Sequence, residues 1–334
     1  MRGQAGLKEK LFLEYEELQP LRYGENPHQK AKFYKALKPL PYSLATARQL
    51  NGKELSYNNI QDANAALNIV REFSGPFAVG LKHTNPCGAA QAPTIEEAWA
   101  KAYEGDKTSI FGGIVAFNRE LTLALAQALK PVFLEVILAP SFAPEALELL
   151  RSKKNLRLLE VDMSSPQSSG LQFASVNGGL LAQEQDLQTK ELDASMAATR
   201  LRPTPEQLED LNFAWKIVKH LKSNAIAVVS GKMLYGAGAG QMNRVGSAKL
   251  ALEQAAATFA QQDGGLPKEA SARRAPVLAS DGFFPFDDCV QLAAEYGVKA
   301  IAQPGGSVKD ADSVSKADEC GIAMLMTGER HFKH

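Results

Sequence analysis

The chain has 334 residues, 45% of them apolar and 22% charged, enough for one large or two ordinary hydrophobic cores. Lys plus Arg and Asp plus Glu both number 37, so the net charge is zero and the basic excess that a nucleic-acid or membrane-surface partner would want is missing. The three cysteines, Cys87, Cys289 and Cys320, have no metal-ligand spacing and fit reduced thiols, and no apolar run is long enough for a signal peptide or a membrane span. The cytoplasm is the expected location.

In chain order, residues 1–20 are charged, lack a clear fold signal and read as a leader or linker remnant. In LRYGENPHQKAKFY, Gly24, Asn26 and Pro27 predict a loop-rich block. Ala63, Ala66, Leu67 and Val70 recur at helical spacing within 56–73. FAVGLKH reads as a short buried strand running into a tight turn, and TIEEAWAKAYEG as a helix capped by Thr94 with Glu97 three residues on. GGIVAFN, RELTLALAQAL, LEVILAP and APEALELLRSKKN continue as strand, helix, strand, helix. The stretch 160–205 is less regular, with SSPQSSG and then strands around FASVNGGLLAQEQD, and an inter-domain connection is expected there.

The alternation resumes with the helix TPEQLEDLNFAWKIVKHL, the strand AIAVVSG, and a Gly-rich loop leading into a long helix through YGAGAGQMNRVGSAKLALEQAAATFAQQ. APVLASDGFF, FDDCVQLAAEYG, KAIAQPGG, ADSVSKADECG and IAMLMTG finish the chain as strand, helix, strand, helix, strand. Two blocks of β-α alternation predict an α/β fold with mixed or parallel sheets flanked by helices. The expected division is 21–200 and 201–334.

Several motifs carry chemistry. GAGAGQ, between a strand and a helix, is a setting in which bare amides approach phosphate, although a tight packing turn is the commoner use and the dinucleotide spacing is missing. In KHTNPCGAA the Pro-Cys pair near a His raises a zinc deaminase, which fails because Ala90 stands where the second Cys is needed and no Glu follows His83 by two. A Lys-His pair is usually a solvated loop edge, but Lys82 and His83 sit at a strand exit, where α/β sheets form ligand crevices. There an imidazole can take a proton and an ammonium can meet developing negative charge. SDGFFPF reads either as core aromatics in a turn or as an apolar wall for a flat heterocycle. The basic run RSKKN and the tail GERHFKH read by themselves as solvated or frayed.

Taken together, LRYGENPHQ, KHTNPCGAA, SIFGGIVAFNRE, VILAPSF, LKSNAIAVV, GAGAGQMNRV, SDGFFPF and TGERHFKH, in this order from about residue 20 to the end, resemble the AICAR transformylase domain of the bifunctional PurH family. The resemblance implies a pair of cytidine-deaminase-like α/β domains, three-layered and without zinc. It implies formyl transfer from 10-formyltetrahydrofolate to the 5-amino group of AICAR (5-aminoimidazole-4-carboxamide ribonucleotide), in a homodimer with interfacial sites. The IMP cyclohydrolase domain with which the family's proteins begin is not matched, so cyclisation is expected to be absent from this chain, and a separate cyclohydrolase becomes a candidate partner.

Residue by residue, His83 resembles the family's catalytic His and Lys82 its essential Lys, with oxyanion stabilisation and protonation of the departing folate nitrogen both open for the latter. Asn224 resembles the Asn that orients the formyl oxygen and carboxamide. For AICAR the resemblance implies Arg22, Tyr23, Lys154 and Arg330 at the phosphate and Gly112, Glu135, Arg244 and Phe283 at ribose and base. At Glu135 the animal members carry Asp. On the folate side it implies Val245, Pro285, Phe286, Asp288 and Ser307, with His334 closing the site. Some members hold a monovalent cation such as K+ near the Gly-rich loop, and no ligands for it are assigned here. Two rivals stand beside this reading: a nucleotide sensor of the same fold without catalysis, and a nicotinamide oxidoreductase resting on GAGAGQ alone.

Overall fold

The computed structural model describes residues 7–163 and 170–334; of the SSPQSSG stretch, all but Gly170 lies outside the described residues. In chain order the first half contains β1 (Tyr15–Leu21), β2 (Ala31–Ala36), β3 (Arg48–Asn51), α1 (Tyr57–Val70), β4 (Phe77–Lys82), β5 (Asn85–Gln91), α2 (Ile95–Gly105), α3 (Lys107–Ile110), β6 (Gly113–Phe117), α4 (Leu123–Leu129), β7 (Leu134–Ala139), α5 (Pro144–Arg151) and β8 (Arg157–Glu160). There follow β9 (Leu171–Val176), β10 (Gly179–Glu184), α6 (Pro205–Val218), β11 (Ile226–Val229), β12 (Leu234–Gly238), α7 (Arg244–Asp263), α8 (Pro267–Arg274), β13 (Val277–Ser280), α9 (Asp288–Glu295), β14 (Ala300–Gln303), α10 (Asp310–Cys320) and β15 (Ala323–Met326). No described helix is long and apolar enough to cross a membrane.

Two mixed sheets carry the fold, in the orders β3-β8-β7-β6-β4-β5 and β12-β11-β13-β14-β15. They share one construction. An antiparallel hairpin (β4–β5 or β11–β12) pairs antiparallel with β6 or β13, and two parallel strands, β7–β8 or β14–β15, follow through helical crossovers. The sheets meet at their equivalent edges, where Ala90 on β5 bridges Met233 and the Gln91 amide donates to the Lys232 carbonyl at 3.0 Å. Two further two-stranded hairpins, β1–β2 and β9–β10, stand outside both sheets.

Strand side chains alternate between faces, and the two faces bury different helices. On β4, Ala78 joins the core beneath α2, α4, α5 and α7, whereas Val79 and Leu81 join the core beneath α1 and α6. Each core draws on both sheets: Trp99 and Phe117 share one with Ile226, Tyr235 and Phe259, and Leu67 and Phe77 share the other with Trp215 and Ala279. The helices start as their caps dictate. Thr94 accepts from the Glu97 amide ahead of α2, and Thr204 forms a capping box with Gln207 ahead of α6.

Four stretches depart from expectation. The region read as a leader contains most of β1, and KAKFY, the end of the block read as loop-rich, contains the first residues of β2. NPCGAAQ, expected to form a turn, is strand β5. The first half of the Gly-rich segment is strand β12, because its glycines admit the backbone of α7: a Cβ at Gly236 would stand 1.9 Å from the Ala251 carbonyl oxygen, and one at Gly238 2.0 Å from that of Ser247. Gly236→Ala must therefore push a 20-residue helix off the sheet. It is expected to destabilise the fold by about 3 kcal/mol, the upper end of overpacking, read as a lower denaturant midpoint.

Candidate active site

Lys82 ends β4, and its ammonium donates to the carbonyls of Phe111 (3.0 Å) and Gly112 (3.1 Å). Gly112 has φ +69°, and a Cβ there would lie 3.3 Å from Lys82 Nζ, so glycine is needed both for the backbone and for the close approach of the ammonium. His83 is exposed at the hairpin tip with φ +51°, followed by Thr84 at +63°. The Asn85 side chain accepts from the Lys222 amide at 3.0 Å, which brings the tip to the loop that carries Asn224.

The Gly112 amide in turn donates to the Phe133 carbonyl at 2.8 Å, and Phe133 is at the wall of a cavity of about 440 Å³. Four cations line it, Lys53, Lys153, Lys154 and Arg157, against one carboxylate, Glu135. Such a surplus focuses positive potential into a concave site and suits an anion. Glu135 is held from α1, where the Asn59 side-chain amide donates to it at 2.7 Å, and Arg157 Nη1 stands 4.0 Å away. Asn59 also closes the capping box of α1 with Ser56, so helix start and carboxylate position are set together. Of the predicted residues, Lys82, Gly112, Glu135 and Lys154 thus share this neighbourhood. Lys53, Lys153, Arg157 and Asn59 were not anticipated. The RSKKN run held a signal for Lys153, but it was indistinguishable from a solvated helix end.

Arg22 and Tyr23 follow β1 on an exposed loop, with the guanidinium 5.5 Å from the tyrosine ring centroid. The Gln19 side chain donates to the Leu55 carbonyl at 3.2 Å, and Asn58 donates to that of Glu25 at 3.4 Å, tying this hairpin to the start of α1.

A second neighbourhood forms around Asn224. Its side-chain amide donates to the Gln241 carbonyl at 2.8 Å, and its side-chain oxygen accepts from Arg244 Nη2 at 2.8 Å. Arg244, expected at ribose and base, is 6% exposed, and its Nη1 donates to Asp281 at 2.5 Å and to Ser280 Oγ at 2.8 Å. Asp281 is fully buried and also accepts from the Ala225 amide at 3.1 Å and from the Ser223 hydroxyl. Its backbone carbonyl accepts the His331 amide at 3.0 Å, which seats the C-terminal tail. Arg330 stacks on Phe332 at 4.8 Å, and Phe332 lies against Gly282 beside Arg244. His334 is exposed, with its ring 6.0 Å from that of Phe332.

SDGFFPF is core only in part. Phe284 is fully buried, whereas Phe283 and Phe286 are 39% and 59% exposed and Pro285 is exposed beside them. Val245 and Asp288 line a second cavity of about 320 Å³, together with Lys249 and Gln291. The Phe286 carbonyl accepts from Ser313 at 3.4 Å on α10, and Ser307 caps the turn before that helix by accepting the Lys309 amide at 3.1 Å.

The tail is anchored a second time. Lys333 Nζ donates to the His220 carbonyl at 2.8 Å, and burial followed by Lys222 lowers its ammonium to about 8. His220 and Lys219 both contact Glu72, at 3.1 and 3.0 Å. Burial alone would raise the Glu72 carboxyl; the hydrogen bond and charge of His220 and the charge of Lys219 outweigh it and hold the group at about 2, against an ordinary 4.5. A depressed carboxylate contributes stability that is present above its unfolded value and lost as pH falls through the folded one. Thermal stability is therefore expected to decline between pH 4.5 and about 2. Glu72→Gln should be less stable than the parent at neutral pH and show a shallower decline, measured by melting across that range.

The model of the AICARFT/IMPCHase bienzyme family matches residues 1–254. The bifunctional purine biosynthesis protein PurH of Bacillus subtilis (strain 168) is 53% identical over 326 residues, which is 98% of this chain and 61% of the relative. The PurH proteins of Bacillus cytotoxicus and Anoxybacillus flavithermus are each 52% identical, over 97% and 98% of this chain and 61% of their own length. The chain thus spans about three-fifths of these relatives, and it belongs to the AICARFT/IMPCHase bienzyme family.

Proposed function

We propose that the chain catalyses formyl transfer from 10-formyltetrahydrofolate to the 5-amino group of AICAR. One observation carries the reading: His83 and Lys82 are consecutive residues at a strand exit, and the Lys82 ammonium is pinned at Gly112 beside a four-cation cavity. The amine of AICAR is a weak nucleophile, its lone pair drawn into an electron-poor ring. As the amine nitrogen bonds to the formyl carbon, His83 takes a proton from it, a contribution of roughly 10² to 10⁴ in rate. Lys82 meets the oxyanion of the tetrahedral intermediate, and the bond to the folate nitrogen then breaks as that nitrogen takes up the proton that His83 removed from the amine. Asn224 retains a side-chain N–H for the formyl oxygen or carboxamide while Arg244 fixes its other end. Lys154, with Lys53, Lys153 and Arg157, supplies the positive field for the phosphate, joined by Arg22, Tyr23 and Arg330. Glu135 takes the ribose; Val245, Asp288 and the outward Phe286 face the folate.

A second copy of the chain is the proposed partner. The β1–β2 and β9–β10 hairpins leave Tyr15, Leu18, Tyr34, Val176, Leu180 and Leu181 exposed. Two-stranded hairpins are marginal on their own in water, and exposed apolar patches mark interfaces. Light scattering should give twice the chain mass, and a monomer at micromolar concentration would refute it. The activity is tested by incubating the chain with AICAR and 10-formyltetrahydrofolate and following release of tetrahydrofolate. Nucleotide binding without release would favour the sensor, and saturable binding of NADH would favour the oxidoreductase.

A further inference from the structure

The tip of the β4–β5 hairpin is built against local preference. Lys82 pairs with Asn85, so His83 and Thr84 form the two-residue loop, and their φ angles are +51° and +63°. Positive φ at both positions is the type I′ arrangement, for which Asn-Gly is the favoured pair. Here His83 and Thr84 occupy it, and for the β-branched Thr84 the left-handed region is unfavourable by about 1–2 kcal/mol. Conformations of this kind persist where their surroundings over-determine them, and they cluster at functional sites.

Three hydrogen bonds hold this one. Thr84 Oγ1 donates to the His83 carbonyl at 2.7 Å and Asn85 Nδ2 to the same carbonyl at 3.0 Å; both bonds lie within the tip, and the Asn85 side-chain oxygen is also fixed from the far side by the Lys222 amide at 3.0 Å. The third comes from outside: the Thr84 amide donates to Asp62 Oδ1 on α1 at 2.7 Å. Burial raises the Asp62 carboxyl, while the amides of Thr84 and His83 and the His83 ring charge pull against it and Glu135 adds to the rise. Asp62 lies three residues after Asn59, which holds Glu135, so the two side chains share one face of α1. One helix therefore sets the spacing between the hairpin tip and the carboxylate wall of the cavity.

We propose that Asp62 is a positioning residue: its carboxylate holds the left-handed His83–Thr84 turn in register with α1, so that the imidazole and the Lys82 ammonium approach the reacting amine from fixed positions. The kinetic part of this role rests on the formyl-transfer reading; the part concerning the turn does not.

Four variants test it: Asp62→Ala, Asp62→Asn, Asp62→Ala combined with Thr84→Gly, and His83→Ala as a control. Asp62→Ala should lower kcat by about 10 to 10²-fold, as expected for a misplaced reacting group. Its KM for AICAR should stay within about threefold, since a positioning loss falls on the transition state. Asp62→Asn keeps an oxygen for the Thr84 amide and should retain most of the activity even if the alanine variant folds poorly. The double variant should recover turnover relative to Asp62→Ala, because glycine enters positive φ without penalty; a loss that was merely structural would not respond to this change. Hydrogen exchange at the Thr84 amide is the second readout, slow in the parent and in Asp62→Asn and fast in Asp62→Ala. Wild-type kcat in Asp62→Ala, no recovery in the double variant, or unchanged exchange at Thr84 would overturn the proposal. Full turnover in His83→Ala would instead overturn the formyl-transfer reading, leaving the exchange measurement to decide the role of Asp62 in the turn.

Discussion

His83→Ala is expected to lower formyl transfer by roughly 10² to 10⁴, the range for loss of a general base, while AICAR binding measured by calorimetry changes little. His83 is exposed at the tip and Lys82 is anchored to two carbonyls, so removing the imidazole leaves the four-cation cavity intact. Lys82→Ala should reduce turnover by a similar factor, about 10² to 10³ if its main work is at the oxyanion. It also frees the Gly112 and Phe111 carbonyls, so a modest rise in KM for AICAR should accompany the loss. The pair acts on one step, and the double variant should be scarcely worse than the weaker single, as for groups that work as a unit. Near wild-type turnover in both singles would remove the basis of the proposed chemistry.

Asp281→Ala is expected to destabilise the protein by about 3–5 kcal/mol, the penalty for leaving one partner of a buried ion pair uncompensated. Arg244 and Asp281 have side chains 5% and 0% exposed, so little water can replace the lost carboxylate. The same carboxylate holds Ser223 and Ala225 on either side of Asn224, and its backbone seats the tail at His331. Activity should therefore fall further than stability alone accounts for, measured under conditions where the variant is fully folded. Combining Asp281→Leu with Arg244→Met should restore much of the stability, because apolar replacement of both partners is often neutral or better. It should not restore turnover, since Asn224 then lacks the guanidinium that holds its side-chain oxygen. Recovery of both together would show that the network acts on folding alone.

The helices were readable because Ala63, Ala66, Leu67 and Val70, like the apolar positions of α6, repeat with the period of a buried face. Strand β5 was not, because Asn85, Pro86 and Gly88 are turn formers and the loop they follow, His83–Thr84, lacks the glycine that marks a two-residue hairpin. Strand β12 was hidden for a related reason: its glycines answer to a helix backbone packed on them, a contact between residues distant in sequence. At the candidate site, Lys82 and His83 stand out in the sequence as a Lys-His pair at a strand exit, whereas Asn224 is implied only by the resemblance. Asn59 and Asp62 on α1 meet Lys53, Lys153 and Arg157, from other parts of the chain, only through folding, so no spacing in the chain announces the group. Arg244 is expected at ribose and base from the resemblance, but its burial against Asp281 is a fact of three-dimensional packing.

The meeting of β5 with β12 also has a practical corollary. Cutting the polypeptide near residue 200 would bare two complementary strand margins and split both shared interiors. Unpaired margins of that kind recruit foreign strands, so each fragment made alone should collect in inclusion bodies, while the two made in one cell should reunite into a soluble pair.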